Sequence, residues 1–339
     1  CWIQRIRLKK IIYSPGEPSG IGPDIIIKLC CSNSWEKYKS SIVSIGDPEL
    51  FTRRAKLLKK KLKIIEANSL EDLKKNKKNI LQIIKVSKCK NYQAGKLSAN
   101  NAKYVIDNLD YAIDQTLNMD KVALVTGPIS KENITSIIKN FSGHTEYIMQ
   151  NTKSKDVLMM LASPKLKVAL ATTHVPLKKV SKMITKELIV NKIKILNNEL
   201  KNKFNINKPK IRILGLNPHA GENGKIGTEE LDHIKPAVRI LKKNNIDVSY
   251  PISADTAFSI GLLKETDAYL GMYHDQVLPV LKTLSFGNSI NITLGIPIIR
   301  TSVDHGVALD IAGTSKSNSS SLDLAIKTAI RLTKWTLET

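Results

Sequence analysis

Apolar residues in this chain fall into short unbroken runs that alternate with longer segments of helical period. Ile11 to Ser14, Ser41 to Ile45, Lys63 to Glu66, Val122 to Thr126, Val168 to Thr172, Ile211 to Leu216, Ala268 to Met272 and Ile290 to Leu294 read as buried strands. Continuous runs rich in Ile, Val and Leu suit a sheet covered on both faces. Between several of them, Ala99 to Leu117, Lys186 to Lys203, Thr228 to Lys243 and Ser321 to Trp335 read as helices. Such alternation predicts an α/β architecture with a largely parallel sheet. At 339 residues the chain exceeds what one core usually serves, so two domains are expected. No Pro/Gly linker divides it and no internal repeat is visible, which predicts interleaved domains.

Composition narrows the class. With 42% hydrophobic and 24% charged residues, the chain reads as an ordinary soluble protein of the cytoplasm. No apolar run is long enough for a membrane helix. The start, Cys1-Trp2-Ile3-Gln4-Arg5, lacks a signal-peptide layout and reads as a chain trimmed at its beginning. Cys1, Cys30, Cys31 and Cys89 form no CxxC pair, which predicts reduced thiols and neither a disulfide scaffold nor a zinc ribbon. The net charge of +23 raises a nucleic-acid reading. Lys carries most of the excess, in segments such as Lys56 to Lys63, Lys74 to Lys78 and Lys201 to Lys210, while Arg and interleaved aromatics are sparse. That pattern fits solvated faces and a biased coding composition better than a nucleic-acid surface.

Candidate chemistry concentrates at strand ends, where α/β proteins bind ligands. His174 in Thr172-Thr173-His174-Val175-Pro176, His219 in Asn217-Pro218-His219-Ala220-Gly221-Glu222 and His274 in Tyr273-His274-Asp275-Gln276 each follow an apolar run. Three imidazoles so placed can hold one divalent ion and leave positions open for substrate; taken singly, each also suits a packed turn. Asp255 and Asp275 are candidate carboxylates to orient such histidines, or simple loop residues. Gly16-Glu17-Pro18-Ser19-Gly20-Ile21-Gly22-Pro23-Asp24 joins the first strand to a helix without the dinucleotide-binding spacing. Gly20 and Gly22 there permit a tight turn. Ser142-Gly143-His144-Thr145 opens a further helix, suited to an anion or to an ordinary N-cap at Thr145. Lys282, Asn291 and Arg300 surround the strand Ile290 to Leu294. Arg300, ending the apolar segment before it, suits a carboxylate or phosphate, or a salt bridge to Asp304. His233, within a helical pattern, reads as structural. His305 lies in the loop Thr301 to Gly313.

Together the stretches GEPSGIGPD, TGPISK, FSGHTEY, TTHVPL, LGLNPHAGENGKIG, YPISADTAF, GMYHDQVLPVLK and INITLGIPIIRTSVDHGVALDIAG closely resemble the 4-hydroxythreonine-4-phosphate dehydrogenase family of the vitamin B6 pathway. They run in family order over nearly the whole chain. Weaker similarity reaches the isopropylmalate and isocitrate dehydrogenases, through His305-Gly306 and Asp310-Ile311-Ala312-Gly313. The resemblance implies a homodimer of two α/β/α domains per subunit, isopropylmalate dehydrogenase-like. The active site is expected in the interdomain cleft at the dimer interface. The implied division is 1–135 with 290–339 for one domain and 136–289 for the other. It also implies one divalent metal (zinc, magnesium or cobalt) on His174 and His219, with His274 supplied by the other subunit. His144, Thr145, Lys282, Asn291 and Arg300 would bind the phosphorylated substrate, and His305, Gly306, Asp310 and Ile311 the NAD or NADP. The implied reaction oxidises 4-phosphooxy-L-threonine; on chemical grounds Lys282, or Asp255 and Asp275 acting through water, can accept the alcohol proton, and the sequence does not choose among them.

Three other readings stand beside it. A related dehydrogenase would act on phosphorylated threonate or erythronate, a metal-dependent hydrolase would use the same three histidines to activate water, and a basic nucleic-acid binder would use the charge excess. Partners expected on the favoured reading are a small phosphorylated amino acid and a second copy of the chain, with no nucleic acid and no membrane.

Overall fold

The protein is described here by a computed structural model covering residues 9–285 and 287–334. Cys1 and Trp335 therefore lie outside the described residues. The chain divides into two compact units, one formed by residues up to Ser154 together with Pro297–Lys334, the other by Lys155–Ile296.

In the first unit the strands are β1 (Lys10–Ser14), β2 (Ser41–Ile45), β3 (Lys63–Glu66), β4 (Ile80–Ile84) and β5 (Val122–Thr126). The second unit carries β6 (Leu158–Ala162), β7 (Lys167–Leu170), β8 (Ile211–Ile213), β9 (Ala268–Gly271) and β10 (Ile290–Leu294), after which β11 (Ile299–Val303) returns to the first. The first unit's order is β3-β4-β2-β1-β5-β11, all parallel. The second unit's order is β10-β6-β7-β9-β8. There β6 pairs antiparallel with both β10 and β7, and β9 pairs parallel with β7 and β8. The helices are α1 (Gly22–Cys30), α2 (Pro48–Leu57), α3 (Ala102–Asn118), α4 (Lys131–Thr135), α5 (His144–Asn151), α6 (Leu177–Met183), α7 (Lys186–Asn202), α8 (Lys235–Lys243), α9 (Ile260–Glu265), α10 (His274–Ser285) and α11 (Ser320–Leu332). Among the described residues no helix is long and apolar enough to cross a membrane. Cys30, Cys31 and Cys89 are free thiols.

The all-parallel sheet is apolar on both faces, as crossover helices require. Ile11, Ile12, Ile42, Val43, Ala123, Leu124 and Val125 are all fully buried. The unit boundaries differ from those expected. Residues beyond 135 stay with the first unit because α5 packs there: Phe141 and Tyr147 join a core cluster with Tyr104, Val105 and Ile134. The Tyr147 hydroxyl also donates to Asp110 on α3 at 2.6 Å. Residues 290–296 stay with the second because β10 pairs along its whole length with β6.

Three strands were missed in the sequence, each for a local reason. β4 has Gln82 at its centre, buried and bonded to the backbone of Lys74 on both sides of its amide. β6 is the Met-rich run Leu158-Met159-Met160-Leu161-Ala162. β11 places Arg300 where an apolar segment was expected to end. The expected helix from Thr228 to Lys243 also breaks, into a π-helical turn at Glu230–Ile234 and then α8. Pro236 explains the break, since it has no N–H to return to the preceding turn.

Candidate active site

In the first unit, the loop from Gly16 to Asp24 leaves β1 and is locked to its neighbours through its backbone. Glu17 N donates to Pro128 O at 2.9 Å, Ile21 N to Val307 O at 2.9 Å, and Gly95 N to Ser19 O at 2.8 Å. Gly22 is there for close approach, not for turn conformation, because a Cβ on it would lie 2.0 Å from Pro15 O. Arg54, reaching in from α2, donates to Gly20 O at 2.9 Å, Pro18 O at 2.6 Å and Asp24 Oδ1 at 2.5 Å. The other oxygen of Asp24 accepts from Gly313 N at 2.6 Å. One buried ion pair thus fastens the Gly16–Asp24 loop to the end of the segment that carries His305, Gly306, Asp310 and Ile311. Of these, Asp310 is exposed and His305 half-buried, with its Nε2 shielded from solvent and unbonded. The segment Thr301 to Gly313 is not all loop, since its first residues complete β11. Ala308 takes the left-handed backbone conformation, φ 45°.

Nearby in the same unit, β11 points Arg300 at the end of β5, where its Nη2 donates to Thr126 Oγ1 at 2.7 Å. Burial draws the Arg300 pKa down to about 10, so the side chain keeps its charge at neutral pH. His144 begins α5 behind Gly143, which is the N-cap without any side-chain capping bond. Thr145, expected as a possible cap, is instead buried. Burial first, then the charges of Arg300 and Lys131, push the His144 pKa well below 6.5. Its Nε2 is cut off from solvent with no protein partner. A buried polar atom without a partner is costly, and here its ring lies within the electrostatic reach of two cations. Lys131 was not singled out in the sequence, although TGPISK places it at the first turn after β5.

The second unit holds the other candidates. His174 follows β7 in a left-handed conformation, φ 48°, and its ring centroid lies 5.9 Å from that of His274 at the start of α10. Asp275 Oδ1 lies 2.6 Å from His274 Nδ1, which directs Nε2 away as a carboxylate does for a metal-bound imidazole. Gln276 ties two strand ends together: its Oε1 accepts from Met272 N at 2.7 Å and its Nε2 donates to Gly215 O at 2.6 Å. His219 is exposed and stands 3.9 Å from Asp255 through Nδ1 and Oδ2, too long for a hydrogen bond. Asp255 is held below the usual carboxylate range chiefly by the Ser253 hydroxyl. Lys282 on α10 and Asn291 on β10 are half-buried, and the Asn291 Oδ1 is shielded from solvent without a hydrogen bond. His233, in the π-helical turn, joins none of these groups.

Two adjacent imidazoles, His174 and His274, one of them oriented by a carboxylate, suit a divalent cation. Among the described residues, no group of three or more His, Cys, Asp or Glu side chains gathers that could hold a metal ion. In the first unit the unbonded Nε2 of His305 is a polar group available to a ligand such as a dinucleotide.

Comparison with known proteins identifies the family. Residues 38–329 match the family described as pyridoxal phosphate biosynthetic protein PdxA. The 4-hydroxythreonine-4-phosphate dehydrogenase of Pseudoalteromonas translucida is 45% identical over 323 residues, covering 95% of this chain and 97% of that protein. The enzyme of the same name from Shewanella frigidimarina is 43% identical over 324 residues, 96% of this chain and 98% of its own. The solved structure of 4-hydroxythreonine-4-phosphate dehydrogenase from Klebsiella pneumoniae aligns with a TM-score of 0.87 at 30% identity, covering 96% of this chain and 99% of that one. The chain belongs to the PdxA family of pyridoxal phosphate biosynthetic proteins.

Proposed function

We propose that this chain is a 4-hydroxythreonine-4-phosphate dehydrogenase. It oxidises the secondary alcohol of 4-phosphooxy-L-threonine and transfers a hydride to NAD or NADP. The carbon that loses hydride becomes a ketone, and its oxygen gives up one proton. The product, 2-amino-3-oxo-4-phosphooxybutanoate, is a β-keto acid that loses carbon dioxide to give 3-amino-2-oxopropyl phosphate. The observation that carries this reading is the solvent-shielded, unbonded His144 Nε2 beside Arg300 and Lys131, in a chain 45% identical to an enzyme of that name.

His144, Thr145 and Arg300 take the substrate phosphate, joined on this reading by Lys282 and Asn291. His174, His219 and His274 would hold the divalent cation, which supplies Lewis acidity at the alcohol oxygen and later at the carbonyl. His305, Gly306, Asp310 and Ile311 would hold the dinucleotide. Lys282 accepts the alcohol proton directly, or Asp255 or Asp275 accepts it through water.

The test is spectrophotometric reduction of NAD and NADP with 4-phosphooxy-L-threonine, set against phosphorylated threonate. Faster turnover of the amino substrate is expected. A preference for the hydroxy acid would transfer the enzyme to the related class, and no dinucleotide reduction with either would favour the metal-dependent hydrolase.

The assembly we infer is a homodimer whose subunits share sites, His274 crossing to the partner. Large exposed apolar side chains in the second unit, Leu177, Leu231, Tyr250 and Ile260 among them, support a covering partner. The 5.9 Å separation of His174 and His274 within one chain favours a second reading, in which each subunit's His274 serves its own metal. Mixing a His274→Ala with a His174→Ala protein separates the two. Crossed ligands restore up to about a quarter of wild-type activity through heterodimers with one intact site. Uncrossed ligands restore none.

A further inference from the structure

The loop that carries His219 has an unusual backbone. His219, Ala220, Gly221, Glu222 and Asn223 all take left-handed conformations in succession, with φ of 51°, 52°, 79°, 40° and 57°. L-residues visit this region singly, at about 1–2 kcal/mol each. A run of them persists only where the surroundings over-determine it.

What surrounds it is a buried carboxylate. Glu230, the first residue of the π-helical turn, is 1% exposed. Its Oε1 accepts from Leu216 N at 2.7 Å and from Asn217 N at 2.8 Å, while its Oε2 accepts from Asn217 Nδ2 at 2.9 Å. Glu229 holds the same amide from its other side, its Oε2 accepting from Asn217 Nδ2 at 2.7 Å, and its Oε1 accepts from the Ser181 hydroxyl at 2.6 Å. Asn217 O then accepts Ala220 N at 3.1 Å, which closes the first left-handed step around His219. The glycines record how tightly the carboxylate is enclosed. A Cβ on Gly221 would lie 2.5 Å from Glu230 Oε2, and one on Gly215 would lie 3.1 Å from Oε1. Charge-assisted bonds of this kind are roughly twice as strong as neutral ones. Pro236 contributes from the far side, since the π-helical turn it forces sets where Glu230 starts.

We infer that Glu230 is a positioning residue for His219: through Asn217 it holds the left-handed turn that presents this imidazole as a ligand. The inference rests on the metal reading above for its purpose but not for its geometry. Glu230→Gln is the informative change, because an amide that keeps Oε1 on the two backbone N–H groups turns its NH2 toward the Asn217 NH2. Donor then faces donor.

Two readouts on the full-length protein test it. In metal-free protein the imidazole resonances of His219, identified by their loss in His219→Ala, should shift in Glu230→Gln while the far-ultraviolet circular dichroism stays that of wild type. On titration with Co²⁺ alone, the visible absorption of the bound ion should report about tenfold or more weaker affinity, the loss typical of removing a group that orients a ligand. In a His219→Ala background the same change should add less than twofold, because the two act as one unit. Unmoved His219 resonances would overturn the inference, as would the full Co²⁺ effect persisting without His219. If wild type takes up no Co²⁺, the metal reading falls and the resonances alone judge the positioning. Should Glu230→Gln not fold, Asn217→Ala removes the amide link and is judged by the same outcomes.

Discussion

In the first unit the constraint is carried mainly by buried charges. Arg54 and Asp24 pair at 2.5 Å out of contact with solvent, and Arg300 lies within β11 with its guanidinium on Thr126. In the second unit His174, His219 and Asp255 are exposed and the backbone carries the constraint. His219 and Asp255 side chains are each 60% exposed, while His174 and the whole turn from His219 to Asn223 are left-handed. On the proposed function, the two solutions suit their chemistry. A dianion is bound well by donors already stripped of water, since their desolvation is complete before it arrives. A metal ion needs lone pairs that can meet it from the open side, so the imidazoles must be aimed, not buried.

The comparison breaks most readily at its most buried charge. Arg54→Ala leaves Asp24 with only Gly313 N and leaves Gly20 O and Pro18 O without a donor. A loss of about 3–5 kcal/mol of stability is expected, measured by urea unfolding with the slope checked for constancy. A loss below about 1 kcal/mol would mean that the pair does not hold the first unit's loops together.

His219→Ala should act in the opposite way, leaving stability within about 0.5 kcal/mol because the side chain is exposed. Metal content and turnover should fall together, by at least the 10–100-fold that loss of an orienting group costs. Elemental analysis after gel filtration checks the first and the dinucleotide assay the second. Full metal occupancy with near-normal turnover would remove His219 from the site.

The smallest effect concerns pH. The folded His144 pKa lies well below 6.5, with burial the leading cause, so between that pKa and 6.5 the unfolded chain binds the extra proton. Stability is complete above pH 6.5 and declines as pH falls, at up to about 1.4 kcal/mol per unit. His305, also lowered by burial, contributes with the same sign. Thermal midpoints between pH 7.5 and 5 should therefore fall less steeply in His144→Asn than in wild type. Parallel slopes would show that His144 is not held neutral by its surroundings.

Much of this was legible in the sequence where one residue type dominates. β2, β3, β5 and β10 have the bounds expected from their apolar runs. The expected strand from Ile211 to Leu216 ends as a strand at Ile213; Leu214 and Gly215 still bond to Leu270 and Ile252, and at Leu216 and Asn217 the N–H groups turn to Glu230. The histidine motifs stood out because a His between strand and loop is conspicuous. Glu230 and Arg54 did not, since each sits beside a like-charged neighbour, Glu229 and Arg53, in what reads as a polar helix face. Their partners are mainly backbone groups distant in sequence, and no side-chain pattern records those. Arg300 was noticed for its rarity, but its place inside a strand depends on Thr126, which lies 174 positions away.

On the proposed function, His144, Thr145 and Arg300 carry most of the phosphate binding without the metal, which His174, His219 and His274 would hold for the chemistry. Isothermal titration of 4-phosphooxy-L-threonine and of unphosphorylated 4-hydroxythreonine into chelator-treated and metal-restored protein tests both halves at once. The account predicts that the phosphorylated compound binds chelator-treated protein within about tenfold of its metal-restored affinity, a difference of no more than about 1.4 kcal/mol, although that protein does not turn over. It predicts no measurable binding of the unphosphorylated compound in either state. Equal affinity for the two compounds, or loss of all binding on chelation, would contradict it.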